Sequence, residues 1–264
     1  MKWIEARVEE SFTPYSYAFV VIGTFMLWIS WIFFNGGSAL SMFVPRNVGV
    51  PKIMMNTLIA GAAGGIVSST IRPHVMKTYS ANSRYDVGAL CNGILGGCVA
   101  VTASSNNIQP WAAFVIGLCG GVVYVYACKF LVKAGIDDPL EASAVHGFCG
   151  GFGIIATGIF DNSKGLFSGN KKEMGKFFGW QICGMLVIVL WTGVISAVYF
   201  IILNKFGLLR VKLMEEIIGL DISEMGVDEP KEFKNMDADL QNALNEKKVS
   251  MQNLPVPRTR ASAM

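Results

Sequence analysis

The sequence predicts an all-α polytopic membrane protein with six transmembrane helices. Of its 264 residues, 52% are hydrophobic and 16% are charged, whereas about 25% are charged in an average soluble domain. The mean hydropathy is +0.46. A net charge of +3 without a basic stripe argues against a nucleic-acid partner. A soluble enzyme is excluded by the same composition, because its surface needs more polar residues.

Six runs contain no Asp, Glu, Lys or Arg although the chain has 22 basic and 19 acidic residues. A charge at the bilayer centre costs about 2.5–3.5 kcal/mol, and a helix of about 20 apolar residues spans the hydrocarbon core. We therefore predict spanning helices at 15–34, 53–71, 87–108, 110–128, 142–160 and 177–204.

The individual runs carry further signals. The first is not a signal peptide, because Glu5, Glu9 and Glu10 precede it and bulky aromatic residues end it. The last has 28 residues and would be about 42 Å long as a helix, so it should tilt or project. The middle four contain Gly-x-x-x-Gly, which favours close helix packing in lipid, at Gly61/Gly65, Gly93/Gly97, Gly117/Gly121 and Gly147/Gly151.

The loops predict the domain organisation and the orientation. We expect a cytoplasmic segment at 1–14, a transmembrane domain at 15–204 and a cytoplasmic tail at 205–264, with a distal end that is polar and disordered. Ten Lys and Arg residues fall on the side that holds both termini and six on the other. The positive-inside rule then places both termini in the cytoplasm, and we expect the plasma membrane.

Trp31, Phe34 and Ser38 stand at i, i+3 and i+7, within an arc of about 60° on one helix face. Aromatic faces attract cations and a serine hydroxyl accepts hydrogen bonds, so this face suits a cation path. The alternative is an interfacial aromatic belt followed by a helix end broken at Gly36 and Gly37.

His146 lies eight residues after Asp138, about 12 Å along a helix and therefore near mid-membrane. A buried imidazole stays neutral and offers one donor and one acceptor; the alternative is a histidine satisfied by a backbone carbonyl. Asp137 and Asp138 before Pro139 predict an N-cap with proline at N1, or else a carboxylate that organises a cytoplasmic vestibule.

The remaining polar residues favour packing. Asn56 and Asn92 predict interhelical hydrogen bonds, and His74 falls in a predicted loop. The six cysteines lie inside predicted spans without Cys-x-x-Cys spacing, so we interpret them as small packing residues. We expect no metal and no cofactor. The chain contains no Gly-x-Ser-x-Gly, His-Glu-x-x-His or Walker A motif, and no enzyme is predicted.

The combination of these features resembles the ammonium transporter (Amt/Rh-type) family, and specifically its C-terminal half. The resemblance covers about residues 15–226. Four stretches in the family's order carry it: GTFMLWISWIFFNGGSAL at 23–40, GILGGCVAVTA at 93–103, DDPLEASAVHGFCGGFGIIATGIF at 137–160, and LRVKLMEEIIGLDISEMG at 209–226.

The resemblance implies a fold of eleven helices in two inverted halves, of which the six spans match helices six to eleven, and a trimer with one pore in each subunit. It implies that Phe34 is the inner gate phenylalanine and Trp31 a pore-lining residue. Ser38 resembles the serine of the ammonium recruitment site, and His146 the second of the paired pore histidines. Asp138 resembles an acidic residue near that histidine. A tail segment at 215–226 resembles the tail that couples subunits, with Met225 where the family often has histidine.

Ammonium or ammonia is therefore the expected substrate and the lipid bilayer the expected surroundings. The first five helices of the family fold have no counterpart here, so we expect a truncated or partial transporter, as a homotrimer or with full-length relatives. The alternative is a non-transporting remnant or regulatory subunit that packs with full-length relatives.

Overall fold

The computed structural model describes residues 16–40, 49–76, 86–136, 138–168 and 173–211, and over these residues the chain forms six helices. Helix α5 begins with a π-helical turn, Ser143–Phe148, and continues as an α-helix, Cys149–Phe160. The others are α1 (Tyr17–Gly37), α2 (Val50–Met76), α3 (Val87–Thr102), α4 (Pro110–Lys133) and α6 (Met174–Lys205). The described residues up to 195 form one compact unit and residues 196–211 belong to a second.

Five of these helices are long and apolar enough to cross a membrane, and the all-helical membrane architecture is confirmed. The sixth, α3, has only 16 residues, about 24 Å of helix. The prediction that this span continues to residue 108 was wrong. Residues 103–108 form turns, because the side chains of Ser104, Ser105, Asn106 and Asn107 compete for backbone hydrogen bonds.

Helix α2, in contrast, is longer than predicted. It continues to Met76 through Arg72, Pro73 and His74, which the charge pattern had assigned to a loop. An arginine near the end of an apolar helix needs a partner, and carboxylates of Asp86 and Glu141 lie against this one. Its charge is therefore satisfied inside the bundle.

The core is formed by buried residues of α2, α3, α4 and α5, and glycines let α2, α3 and α4 approach one another closely. A Cβ atom added at Gly97 of α3 would lie 2.2 Å from the carbonyl oxygen of Ala60 in α2, and one added at Gly117 of α4 would lie 2.3 Å from the same oxygen. Both neighbouring helices thus touch one backbone carbonyl, the close approach that small residues permit in lipid.

Three of the four Gly-x-x-x-Gly pairs pack in this way, and the fourth does not. Added Cβ atoms would collide at both members of the pairs in α2, α3 and α4. Nothing lies within 4 Å of a Cβ atom at Gly147, and one at Gly151 would meet only the Met185 sulfur at 3.6 Å. The packing prediction was therefore wrong for the glycines next to His146.

We expect the Gly97→Ala substitution to destabilise the chain by about 1–3 kcal/mol, since a rigid backbone oxygen occupies the place of the new methyl group. The matched control is Gly193→Ala in α6, where nothing lies within 4 Å. There alanine should be neutral or stabilising, because its helix propensity exceeds that of glycine by about 1 kcal/mol. Thermal unfolding of the purified chain in detergent micelles measures both, and a midpoint for Gly97→Ala at or above that of the unaltered chain would contradict the packing.

Candidate functional site

The aromatic face of α1 meets the histidine of α5. The rings of Trp31 and His146 are stacked, with centroids 5.8 Å apart and planes inclined by 26°. Phe34 lies next to Trp31, with ring centroids 5.9 Å apart. The structure thus brings His146 next to Trp31 and Phe34, which sequence reasoning had placed together on another helix, 115 positions before His146 in the case of Trp31.

These three side chains differ in exposure. Trp31 is half-buried, whereas Phe34 is 64% exposed and His146 is exposed. The fourth predicted residue, Ser38, lies just beyond the end of α1, and its hydroxyl donates to the backbone carbonyl of Asn35 at 2.7 Å. The aromatic surface, which we define as Trp31, Phe34 and His146, is therefore the outward side of α1 and α5.

A buried polar cluster fixes the position of Trp31 through hydrogen bonds. The indole Nε1–H donates to the hydroxyl of Thr102 at 3.1 Å. The amide of Asn35, fully buried, donates to Thr57 at 3.0 Å and to Thr102 at 3.3 Å. These bonds tie α1 to α2 and α3 and fix the plane of the indole ring. Sequence reasoning missed Asn35, Thr57 and Thr102. The available signal was the position of Thr57 and Thr102 inside charge-free runs, and of Asn35 directly after one.

The π-helical turn at the start of α5 presents His146 outward. Ala144 and Val145 are buried, and the Cys149 thiol donates to the carbonyl of Gly120 in α4 at 3.4 Å. With this face docked on α4, the wider turn carries His146 on the other side. Such turns are rare and occur often at functional sites.

The residues before α5 correct one prediction. Asp138 does not open the helix with Pro139 at N1, since a turn follows it and α5 begins five residues later, at Ser143. Its carboxylate nevertheless accepts hydrogen bonds from the backbone N–H groups of Ala142 at 2.9 Å and Ser143 at 2.8 Å. Asp138 therefore caps α5 although it lies several residues before the helix. The predicted helical rise of about 12 Å between Asp138 and His146 was wrong, because the chain between them is not a continuous helix. Asp137 lies outside the described residues.

Glu141 lies at the centre of a charged cluster that sequence reasoning did not identify. Its carboxylate is bound by Arg72 of α2 through both guanidinium Nη atoms, by the hydroxyl of Tyr124 of α4, and by the amide of Asn92 of α3 at 2.8 Å. Arg72 Nε also lies 3.3 Å from Asp86. Burial raises the pKa of Glu141, but the hydrogen bonds from Arg72, Tyr124 and Asn92 outweigh it and bring the pKa below its usual range.

The opposite end of α5 is held by a second carboxylate. Asp161 accepts the backbone N–H groups of Ser163 at 2.9 Å and Lys164 at 2.8 Å, the Ser163 hydroxyl at 2.9 Å and the Asn107 amide at 2.5 Å. Burial raises the pKa of Asp161, and these bonds lower it further than burial raises it, so it lies below its usual range. Helix α5 thus has a carboxylate anchor at each end.

The two predicted membrane amides differ in partner. Asn92 binds Glu141, in the segment that leads into α5. Asn56 does not bind another helix; its amide donates to the carbonyls of Ser105 at 2.9 Å and Ile108 at 3.3 Å. These bonds fix the turn that shortens α3, so the role of Asn56 in this structure is structural.

A sequence model described as Ammonium Transporter Family matches residues 2–229. Ammonium transporter Amt2 of Archaeoglobus fulgidus is 40% identical over 215 residues, which cover 78% of this chain and 44% of that protein. Ammonium transporter 1 member 3 of Solanum lycopersicum is 33% identical over 229 residues, covering 78% of this chain and 48% of that protein. The chain spans about half the length of the curated relatives that it matches.

Solved structures show the same fold. The structure titled Sensor Amt Protein is 34% identical with a TM-score of 0.67, and the match covers 80% of this chain and 49% of that one. Mep2 of Saccharomyces cerevisiae is 28% identical with a TM-score of 0.64, and the match covers 76% of this chain and 45% of that one. The matches cover under half of each relative, as in the sequence comparison.

Proposed function

Because the chain belongs to the ammonium transporter family, we propose that it forms one wall of a pore that carries ammonium or ammonia across a membrane. It is an integral membrane protein, with five helices long and apolar enough to cross a bilayer. The observation that carries the proposal is the stack of Trp31 on His146, beside Phe34, on the outward side of the bundle.

The chemistry of this surface suits an ion that must lose its water. A bare cation in hydrocarbon costs tens of kcal/mol by a Born estimate. The faces of Trp31 and Phe34 attract a cation, and the Ser38 hydroxyl at the end of α1 offers an oxygen at the mouth. Further in, the imidazole of His146 offers its two ring nitrogens for hydrogen bonds. Such a lining favours passage of ammonia, with the proton released or carried separately.

The second wall of the pore must come from five further helices. Transporters built from inverted repeats place their sites between the two halves. The exposure of the Phe34 ring and the His146 imidazole supports a second half that covers them. We propose that a longer form of the protein or a separate family member supplies it. Trimeric assembly, a plasma-membrane location and cytoplasmic termini belong to the same proposal, the last from the ten-to-six distribution of basic residues.

Uptake of labelled methylammonium by a host without its own ammonium transporters tests the proposal. The full chain is expressed alone, and also together with the first five helices of the Archaeoglobus fulgidus relative. We expect uptake from the pair and none from either part. Absence of uptake from the pair, with both parts present in the membrane as a complex, would contradict the transport function.

The same host also tests the second candidate function, that of a non-transporting subunit. The exposed aromatic surface also fits a non-transporting subunit that packs on full-length relatives. If the chain co-purifies with a full-length relative and changes its uptake, while the reconstituted pair remains inactive, the regulatory function is favoured.

A further inference from the structure

Glu141 has an unusual backbone conformation for its residue type. Its φ angle is +57°, in the left-handed region that side chains other than glycine seldom adopt. Such a conformation costs about 1–3 kcal/mol and persists where the surroundings hold it in place. Glu141 lies two residues before the π-helical turn that contains His146.

The surroundings that hold Glu141 come from three different helices. Arg72, Asn92 and Tyr124 belong to α2, α3 and α4, and all three donate to the same carboxylate. The side chains of Glu141 and Arg72 are 20% and 18% exposed, so water replaces these donors only in part. The carboxylate is therefore fixed to the rigid core of the bundle.

The backbone of Glu141 passes this constraint to His146. The Glu141 carbonyl accepts the N–H group of Val145 at 3.0 Å, and Val145 directly precedes His146. Val145 is buried against the core with Ala144. A displacement of Glu141 thus shifts the backbone that carries the imidazole, whereas Trp31 stays fixed by Thr102 on α3.

We propose that Glu141 is a positioning residue: its bonds to Arg72, Tyr124 and Asn92 hold the π-helical turn so that the His146 ring lies against Trp31. Glu141 acts through the backbone and does not contact the aromatic surface. The importance of this orientation for transport rests on the proposed function, but the positioning itself is a property of the chain.

The test uses the nuclear magnetic resonance signals of ring-labelled histidine in the full chain, purified in detergent micelles. The chain contains two histidines, so His146→Ala assigns both signals and His74 serves as an internal reference. Stacking on an indole displaces ring-proton signals, and Trp31→Leu measures the size of that displacement. We expect Glu141→Gln to lose most of the displacement while the His74 signals stay in place.

The matched control is Asp161→Asn, which neutralises the carboxylate at the other end of α5. It should lower thermal stability, as Glu141→Gln does, but leave the His146 signals where they are. If Glu141→Gln does not fold, Tyr124→Phe removes one of its hydrogen bonds and keeps the ion pair. We expect Tyr124→Phe to lose a smaller part of the stacking displacement of the His146 signals than Glu141→Gln would.

Unchanged His146 signals in a folded Glu141→Gln chain, or in Tyr124→Phe where the former does not fold, would overturn the proposal. An equal loss of the stacking displacement in Asp161→Asn would also overturn it, since Glu141 would then contribute only general stability. The signals are recorded without any transport, so a failure of the proposed function leaves this result interpretable by itself.

Discussion

Replacing Arg72 with alanine is expected to lower the free energy of unfolding of the chain by about 3 kcal/mol, the lower end of the usual effect of removing one partner of a buried ion pair, because the side chains of Arg72 and Glu141 are 18% and 20% exposed. The substitution leaves the Glu141 carboxylate in its buried place with only the neutral donors Tyr124 and Asn92. These groups hydrogen-bond to the charge but do not neutralise it. Denaturant unfolding of the full chain in micelles measures the change.

Two control variants distinguish the loss of the Arg72–Glu141 ion pair from a general loss of positive charge. The double variant Arg72→Met with Glu141→Leu removes both charges and keeps apolar volume, so it should recover much of the lost stability. Lys133→Ala removes an exposed basic residue at the end of α4, with an effect within about 0.5 kcal/mol. An effect of Arg72→Ala as small as that of Lys133→Ala would show that the cluster does not hold the bundle.

Replacing His146 with alanine is expected to reduce methylammonium uptake by the reconstituted pair about tenfold or more, or to change its dependence on ions. A hydrogen bond to a charged group contributes about 1.5–3 kcal/mol, and a difference of about 1.4 kcal/mol is tenfold in rate. The substitution also removes the ring that stacks on Trp31 at 5.8 Å. The effect is therefore expected at the proposed pore wall, with little effect on the core of the bundle.

Much of the fold was predictable because the cost of burying charge is local and large. Charge-free runs located all six helices of the described residues, and the 32 residues of α6 confirm the prediction of a long final helix. Helix ends were less predictable. The turn after Thr102 contains no charge, and the extension of α2 through Arg72 depends on a carboxylate 69 positions away.

The candidate site was predictable only where one helix carries it. The spacing of Trp31 and Phe34 in α1 predicts a shared face, and the rings are in contact. The distance from Trp31 to His146 depends on how α1 and α5 pack, for which a single sequence has no signal. The π-helical turn was also missed, and the 12 Å rise inferred along a regular helix from Asp138 to His146 was consequently wrong.

Glu141 shows why a charge pattern can mislead. Arg72 and Glu141 both flank charge-free runs, and a pattern of charges alone indicates two solvated loop residues. The structure pairs them inside the bundle, because Tyr124 and Asn92 supply further donors for the same carboxylate. Two opposite charges that pair at neighbouring helix ends avoid the cost of an unpaired charge in the bilayer, as two charges in water also do.

The most direct test of a histidine-bearing pore wall compares the two histidines of the chain in one uptake assay. His146→Ala and His74→Ala are each expressed as the full chain with the first five helices of the Archaeoglobus fulgidus relative, at matched amounts in the membrane. We expect a lower rate or a changed ion dependence for His146→Ala and unaltered uptake for His74→Ala. The same rate and ion dependence in His146→Ala as in the unaltered chain would remove His146 from the pore and contradict the account.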